Sequence, residues 1–496
     1  MNRLFLNALN YKAKIAIISN GDSYTYDQLI NESKGSAKAL LGEKEDLNEA
    51  RVAFMVQPGF DYVKIQWAIW QAGGIAVPIC VSYPVASIEH VLDDALCSVI
   101  ICDSEFKASL VPFAKSRDIP LLSSSIGISS NIDLPKVNAD RSAMILYTSG
   151  TTGKPKGVVT THSNIEAQIS TLVKAWHWSE EDHILNVLPL HHVHGIINVV
   201  SCALWSGATC QFINKFEAKA VIDIFLDGKV NVFMSVPTIY YKLTSYWETL
   251  SKTEQKDIYD CMNQFRLMIS GSAALPISTM EQWKKISGQT LLERYGMTEI
   301  GMAISNSYSE DRLPGFIGKP LPSVEIRLLD ENGNPVKEGK TGEIQVKGAN
   351  VFKEYWNNES ATKAAFTPDG WFITGDVAKV ENGNYKIVGR KSVDIIKSGG
   401  YKISALEIEE VLRTHPQIKD CAVLGIPDVE WDEIICASLV LDTDSIDLNS
   451  LKNWMKELLP NYKTPRKYLI QDDLPRNVMG KVTKNELKKF FTENKK

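Results

Sequence analysis

Short β-branched runs alternating with longer amphipathic stretches constrain this chain more than any other feature. Between residues 52 and 103 the order is "VAFMV", "DYVKIQWAIWQAG", "IAVPI", "SIEHVLDDAL", "VIICD". Strand-length runs separated by helix-length ones predict βαβ units and a mostly parallel sheet. The pattern recurs around "HILNVLPL" and "VNVFMSVP", and ahead of it "IAIISNGDSYTYDQL" predicts a strand pair followed by a helix. From about residue 324 the texture changes to short alternating strands with glycine-rich turns, as in "TGEIQVKG", which predicts a small β-rich subdomain. Beyond Arg390, "ALEIEEVLRTHP" and "DLNSLKNWMKELLP" read as helices and "KDCAVLGIPD" and "IICASLVL" as strands. The expected architecture is α/β. A large N-terminal domain over residues 1–390 combines βαβ units with the β-rich subdomain, and a small α+β domain follows over residues 391–496.

A chain of 496 residues is too long for one ordinary core, which agrees with two or more domains. The formal net charge of −5 gives no basic footprint for nucleic acid. No apolar run approaches the roughly 18–20 residues of a membrane span; "GIINVVSCALW" is the nearest and reads as a buried helix. The eight cysteines are scattered, without Cys-x-x-Cys or histidine partners at metal spacing, and read as reduced core residues of a cytoplasmic protein. The first residues lack a secretory signal pattern, and folded sequence is expected to begin almost at once.

"YTSGTTGKPKG", residues 147–157, follows the strand-like "AMILYT". A strand that breaks into Ser, Thr and Gly offers backbone N–H groups and hydroxyls that wrap an anion. The hydroxyls are those of Thr148, Ser149, Thr151 and Thr152, set among Gly150, Gly153, Lys154, Pro155 and Lys156. Only two residues separate Gly150 from Gly153, and Pro155 follows Lys154, so this is not the Walker pattern. A flexible surface turn is the bland alternative.

The segment resembles the phosphate loop of the adenylate-forming superfamily of acyl-CoA synthetases, luciferases and peptide-synthetase adenylation domains. "RYGMTE", "GWFITGD", "VGRKSVDIIKSGGYKIS" and "LPRNVMGKV" are similar, in order, to its later motifs. The resemblance implies a mobile C-terminal domain and two half-reactions. A carboxylate attacks the α-phosphate of ATP to give an acyl-adenylate, and a thiol, usually that of CoA, then displaces AMP. It further implies that residues 148–156 cradle the β- and γ-phosphates, that Glu299 holds Mg²⁺, and that Thr298 contacts the α-phosphate. Tyr295 would stack on adenine beside the backbone of residues 270–273, Ser272 among them, while Asp376 and Arg390 would take the ribose. Lys481 would be the catalytic lysine, neutralising charge that develops during adenylate formation. Each has a plainer reading: a solvated Glu299, a core Tyr295, an Asx turn at Asp376, an interdomain ion pair at Arg390, a solvated Lys481 in a lysine-rich tail. The hinge segment "GRKSVD" is one residue longer than in many relatives, which places the pivot within residues 391–394. "KSGGYKIS" would face the nucleotide site during thioester formation.

The acid is addressed by "LLERYGMTEIGM". Leu291 and Leu292 read as the end of a buried strand and Tyr295-Gly296 as the turn leaving it. Arg294, which cannot be deprotonated, then stands where the acyl group should lie. A charged fork there asks for a second carboxylate, with Ser272 of "GSAALP" as companion donor and His192 of "LHHVHG" lining the pocket. The alternative is a salt bridge from Arg294 to Glu293 or another neighbour. These variants resemble the malonate-activating branch of the superfamily. They imply an ATP- and CoA-dependent ligase acting on malonate, with methylmalonate second. A short- or medium-chain monocarboxylate ligase and a nucleotide-binding pseudoenzyme are the alternatives.

Overall fold

Local chemistry starts the helices where the pattern predicts them. Thr25 and Gln28 form a reciprocal capping box at the head of helix Tyr26–Leu41, and Thr161 with Asn164 does the same for His162–Ala175. The computed structural model describes residues 3–127, 133–148, 155–477 and 480–493.

Among the described residues the strands form four sheets. One is seven-stranded, with Ile75–Pro78, Arg51–Met55 and Val99–Cys102 running parallel at its centre. A second is nine-stranded, and its parallel strands His183–Asn186, Val232–Ser235, Leu267–Ser270 and Leu292–Met297 lie side by side. A four-stranded antiparallel sheet over Val324–Leu329, Thr341–Gly348, Phe372–Glu381 and Asn384–Arg390 is the β-rich unit. A five-stranded sheet begins at Ile395 and packs its own apolar residues on both faces, Ile408 and Leu451 on one and Leu424 and Leu487 on the other.

Two expectations need correction or refinement. Tyr295-Gly296 is not a turn: the strand runs through both to Met297 and pairs antiparallel with Gly301–Ser305. The chain reverses instead after Met297. A register shift at Tyr295/Gly296 brings the Gly301 carbonyl within 2.0 Å of where a Cβ on Gly296 would stand, so glycine is required there. "GIINVVSCALW" is a buried helix as expected, but His194–Ser201 is π-helical, which residue periodicity cannot announce.

Residues 391–394 form a tight turn after Arg390. Asp394 closes it, accepting from the Arg390 amide at 3.0 Å and from Lys484 Nζ at 2.7 Å. A side chain at Gly389 would meet the Asp394 Cβ at 2.6 Å, so this turn is folded against a glycine. Lys484 is buried and also pairs with Glu409 at 2.7 Å; burial works to lower its pKa, but the two carboxylates outweigh burial and raise it. One ammonium thus ties the turn at residues 391–394 to the core of the C-terminal sheet.

Candidate active site

The C-terminal ends of adjacent parallel strands converge, the usual place for a ligand crevice in such sheets. Ser235 and Ser270 end two neighbouring strands in register, and Ser270 pairs with Glu293 near the start of the third. Beyond Ser270 the backbone passes Gly271, where a Cβ would meet the Arg294 guanidinium at 2.4 Å, to Ser272 at φ +69°. Only a glycine lets the chain cross this close to Arg294.

Arg294 is 4% exposed. Its Nη2 donates to Ser272 Oγ at 3.5 Å, its Nε has no partner, and among the described residues no carboxylate lies within ion-pair distance. The neighbouring acid does not serve, because successive strand residues point to opposite faces. Glu293 instead accepts from the Leu275 amide at 3.3 Å, and burial pushes its carboxyl up to about 8, so it is largely neutral at pH 7. Burial pulls the Arg294 pKa down to about 9, which still leaves it charged. The salt-bridge reading of Arg294 therefore fails. The strand ends hold a desolvated cation with no carboxylate partner among the described residues.

Three histidines line this region, and the structure reorders their importance. Ser272 Oγ lies 3.2 Å from His194 Nδ1, which makes His194 the imidazole beside Arg294; among the described residues His192 makes no hydrogen bond to either. The residue expected to line the acid pocket was His192, and its imidazole sits against His191, ring centroids 4.1 Å apart. Burial pulls His192 down to about 4, and burial with the Arg294 charge pulls His194 well down, so both are neutral donors or acceptors near pH 7. His194 was visible in "HHVHG", but spacing alone could not choose between them.

The two strands that flank residues 149–154 pair antiparallel. Thr148 and Lys156 face each other as the last pair of an antiparallel ladder, while Ser149, Gly150, Thr151, Thr152, Gly153 and Lys154 lie outside the described residues. The Pro155 carbonyl meets His90 Nε2 at 2.8 Å. Lys156 Nζ lies 5.0 Å from the Tyr355 ring centroid, and the Tyr355 hydroxyl donates to Glu299 Oε1 at 2.9 Å. Tyr355 had no signal in the sequence, yet it joins the loop to the acid expected to hold metal. Burial pushes the Glu299 carboxyl up, with the Tyr355 hydrogen bond opposing it. Thr298 sits half-buried in the reversal just before Glu299.

Tyr295, Asp376 and Arg390 come together from positions far apart. The Tyr295 hydroxyl donates to Asp376 Oδ2 at 2.7 Å, and Arg390 Nε donates to Oδ1 at 2.7 Å. Burial, then the Asp376 charge, pushes the Tyr295 phenol well up, so it stays a donor. Asp376 and Arg390 are already an ion pair, within the four-stranded sheet rather than between domains.

Lys481 is exposed on a loop braced at its backbone. Asn477 Oδ1 accepts from the Lys481 amide at 3.0 Å, and Arg476 Nη1 donates to the Gly480 carbonyl at 2.7 Å. A Cβ on Gly480 would lie 2.8 Å from Thr238 Oγ1, at the head of helix Pro237–Glu248. That helix follows the strand ending in Ser235, so the lysine loop rests on the rim of the crevice.

The protonated Glu293 has a measurable consequence. Its folded pKa of about 8 lies above the ordinary 4.5. Between those values the folded state holds a proton the unfolded state has lost, so this residue's contribution to stability falls as pH rises through that window. Relative to Glu293→Gln, wild type should match in thermal midpoint near pH 5 and fall behind by pH 8.5. Parallel midpoint curves for the two proteins would show that Glu293 is ionised in the fold.

Two large sheets with parallel strands at their centres, a β-rich unit and a small C-terminal unit whose Lys481 segment lies over the strand ends are the architecture of an adenylate-forming enzyme. The chain belongs to the AMP-binding enzyme family, which matches residues 4–356, and the AMP-binding enzyme C-terminal domain matches residues 407–481. It is 43% identical to the mitochondrial malonate–CoA ligase of Mus musculus, covering 98% of this chain and 90% of that protein. It superposes on ATP-bound MatB from Rhodopseudomonas palustris with a TM-score of 0.92 at 32% identity, covering all of both chains. A malonyl-CoA ligase ternary product complex with methylmalonyl-CoA and AMP gives a TM-score of 0.69 at 32% identity, over 94% of this chain and 97% of that one. No helix among the described residues is long and apolar enough to cross a membrane.

Proposed function

We propose that this protein is an AMP-forming ligase that activates malonate as the acyl-adenylate and passes it to CoA, with methylmalonate as a second substrate. The observation that carries the reading is the buried Arg294 without a carboxylate partner. A desolvated unpaired charge is costly, so the site is built for a ligand that brings the missing anion. One carboxylate of malonate pairs with Arg294, with Ser272 and His194 as hydrogen-bonding companions, and the other reacts. His192 supports the same wall through packing.

In the first half-reaction a carboxylate oxygen attacks the α-phosphorus of ATP and pyrophosphate leaves. Residues 148–156 bind the β- and γ-phosphates, Thr298 the α-phosphate, and Lys481 supplies the positive charge at the reacting centre. Tyr295 stacks on adenine, while Asp376 and Arg390 take the ribose. In the second half-reaction the CoA sulfur attacks the acyl carbon and AMP leaves. Mg²⁺ would be held by Glu299, a lone carboxylate beside the phosphate hairpin. That donor set fits an ion which takes one or two protein carboxylates and fills its other positions with phosphate and water. When bound, it would offset phosphate charge.

The boundary between the two moving units is placed at 390/391, with the turn at residues 391–394 as pivot. The two superpositions, at 0.92 and 0.69, support more than one arrangement of the units. The free thiols, all buried except the half-buried Cys261, suit a reducing compartment such as the cytoplasm; the mouse relative's mitochondrial name makes cell fractionation the check.

Hydroxylamine trapping tests the function directly. With ATP and Mg²⁺ the enzyme should release malonyl-hydroxamate and little acetyl- or octanoyl-hydroxamate. Preference for a monocarboxylate, or no hydroxamate with any acid, would sink the assignment.

A further inference from the structure

Helix Ile277–Ser287 begins without a cap of its own. Pro276 stands at the N-cap position and provides no side-chain hydrogen bond. The missing acceptor comes from the C-terminal unit: Glu410 Oε2, on helix Ala405–Leu412, accepts from the Ile277 amide at 3.3 Å. A carboxylate at a helix N-terminus satisfies an orphan N–H and meets the positive end of the dipole. Glu410 is itself held by Arg413 at 3.4 Å. The segment between Ser272 and Ile277 is thus gripped twice, by Glu293 at Leu275 from beneath and by Glu410 at Ile277 from the other unit. Ser272, the companion of Arg294, stands at the near end of that segment.

We infer that Glu410 is a positioning residue for the adenylation half-reaction, capping helix Ile277–Ser287 only while the C-terminal unit is docked as in this structure. Docking then sets the lysine loop on Thr238 and steadies the acid-binding segment in one event. The inference rests on the two-half-reaction reading above. Glu410 touches none of the residues assigned to substrate, and its side chain is 34% exposed, so its replacement leaves the fold standing.

The test uses the full chain with Glu410→Ala and Glu410→Gln. Losing one helix cap is worth about a fivefold shift in the docking equilibrium. Malonyl-hydroxamate formation should fall by about that factor in Glu410→Ala, and by less in Glu410→Gln, whose amide oxygen still accepts. Thioester formation from supplied malonyl-adenylate and CoA should hold or rise. Amide hydrogen exchange at the head of helix Ile277–Ser287 should quicken in substrate-free enzyme. Unchanged exchange, or an equal fall in both half-reactions, overturns the inference. If wild type makes no malonyl-hydroxamate, the functional reading fails by itself, and the exchange measurement still decides the latch.

Discussion

Arg294→Met should cost malonate a factor of roughly 30 to several thousand in kcat/KM. That is the range for truncating one partner of a buried charge pair, about 2–5 kcal/mol. On butyrate the same variant should gain in relative terms, because methionine fills the space with apolar surface. The preference curves of wild type and variant should cross. Arg294→Lys should recover part of the malonate loss, keeping the charge without the fork. The structure adds a second readout. Replacing a buried guanidinium that has no carboxylate partner among the described residues with an apolar side chain removes a desolvation penalty, so Arg294→Met should melt no lower than wild type, and higher in the absence of malonate. If it lowers malonate and butyrate efficiency by one common factor and melts lower, Arg294 is structural and the substrate assignment loses its main support.

Lys481→Ala should lose adenylate formation by roughly 10²–10³, the size of one preorganised electrostatic donor. Its backbone is braced through Asn477 and the Gly480 carbonyl, so truncating the exposed side chain leaves the loop in place. Thioester formation from supplied malonyl-adenylate should therefore stay near normal. Single-turnover measurement of each half-reaction distinguishes this from general damage. Equal loss in both would mean that Lys481 serves both arrangements, and that the proposed movement of the two units is wrong.

The alternation of strand and helix patterns and the ordered motifs made the fold class and the reaction class legible before any coordinates. The fold class depends on local chemistry, β-branched runs that want sheet; the reaction class rests on the resemblance of those motifs to the adenylate-forming superfamily, beyond the glycines and hydroxyls that suit phosphate. Arg294 was also legible, because a guanidinium at a strand end near a pocket has few roles. Its neighbour Glu293 was ambiguous, and only the strand's alternation of faces, together with burial, kept the two from pairing. The choice of His194 over His192, the link from Lys156 through Tyr355 to Glu299, and the reach of Glu410 to Ile277 had no sequence signal that could rank them. The Tyr355–Glu299 and Glu410–Ile277 bonds join residues 56 and 133 positions apart. The sequence by itself determined which elements form and which chemistry they carry, since propensity, period and side-chain type act over a few residues. Tertiary structure decided which imidazole lies beside Ser272 and Arg294, which carboxyl stays protonated and which helix is capped from another unit. Desolvation and hydrogen bonding depend on neighbours that only the packed chain brings together.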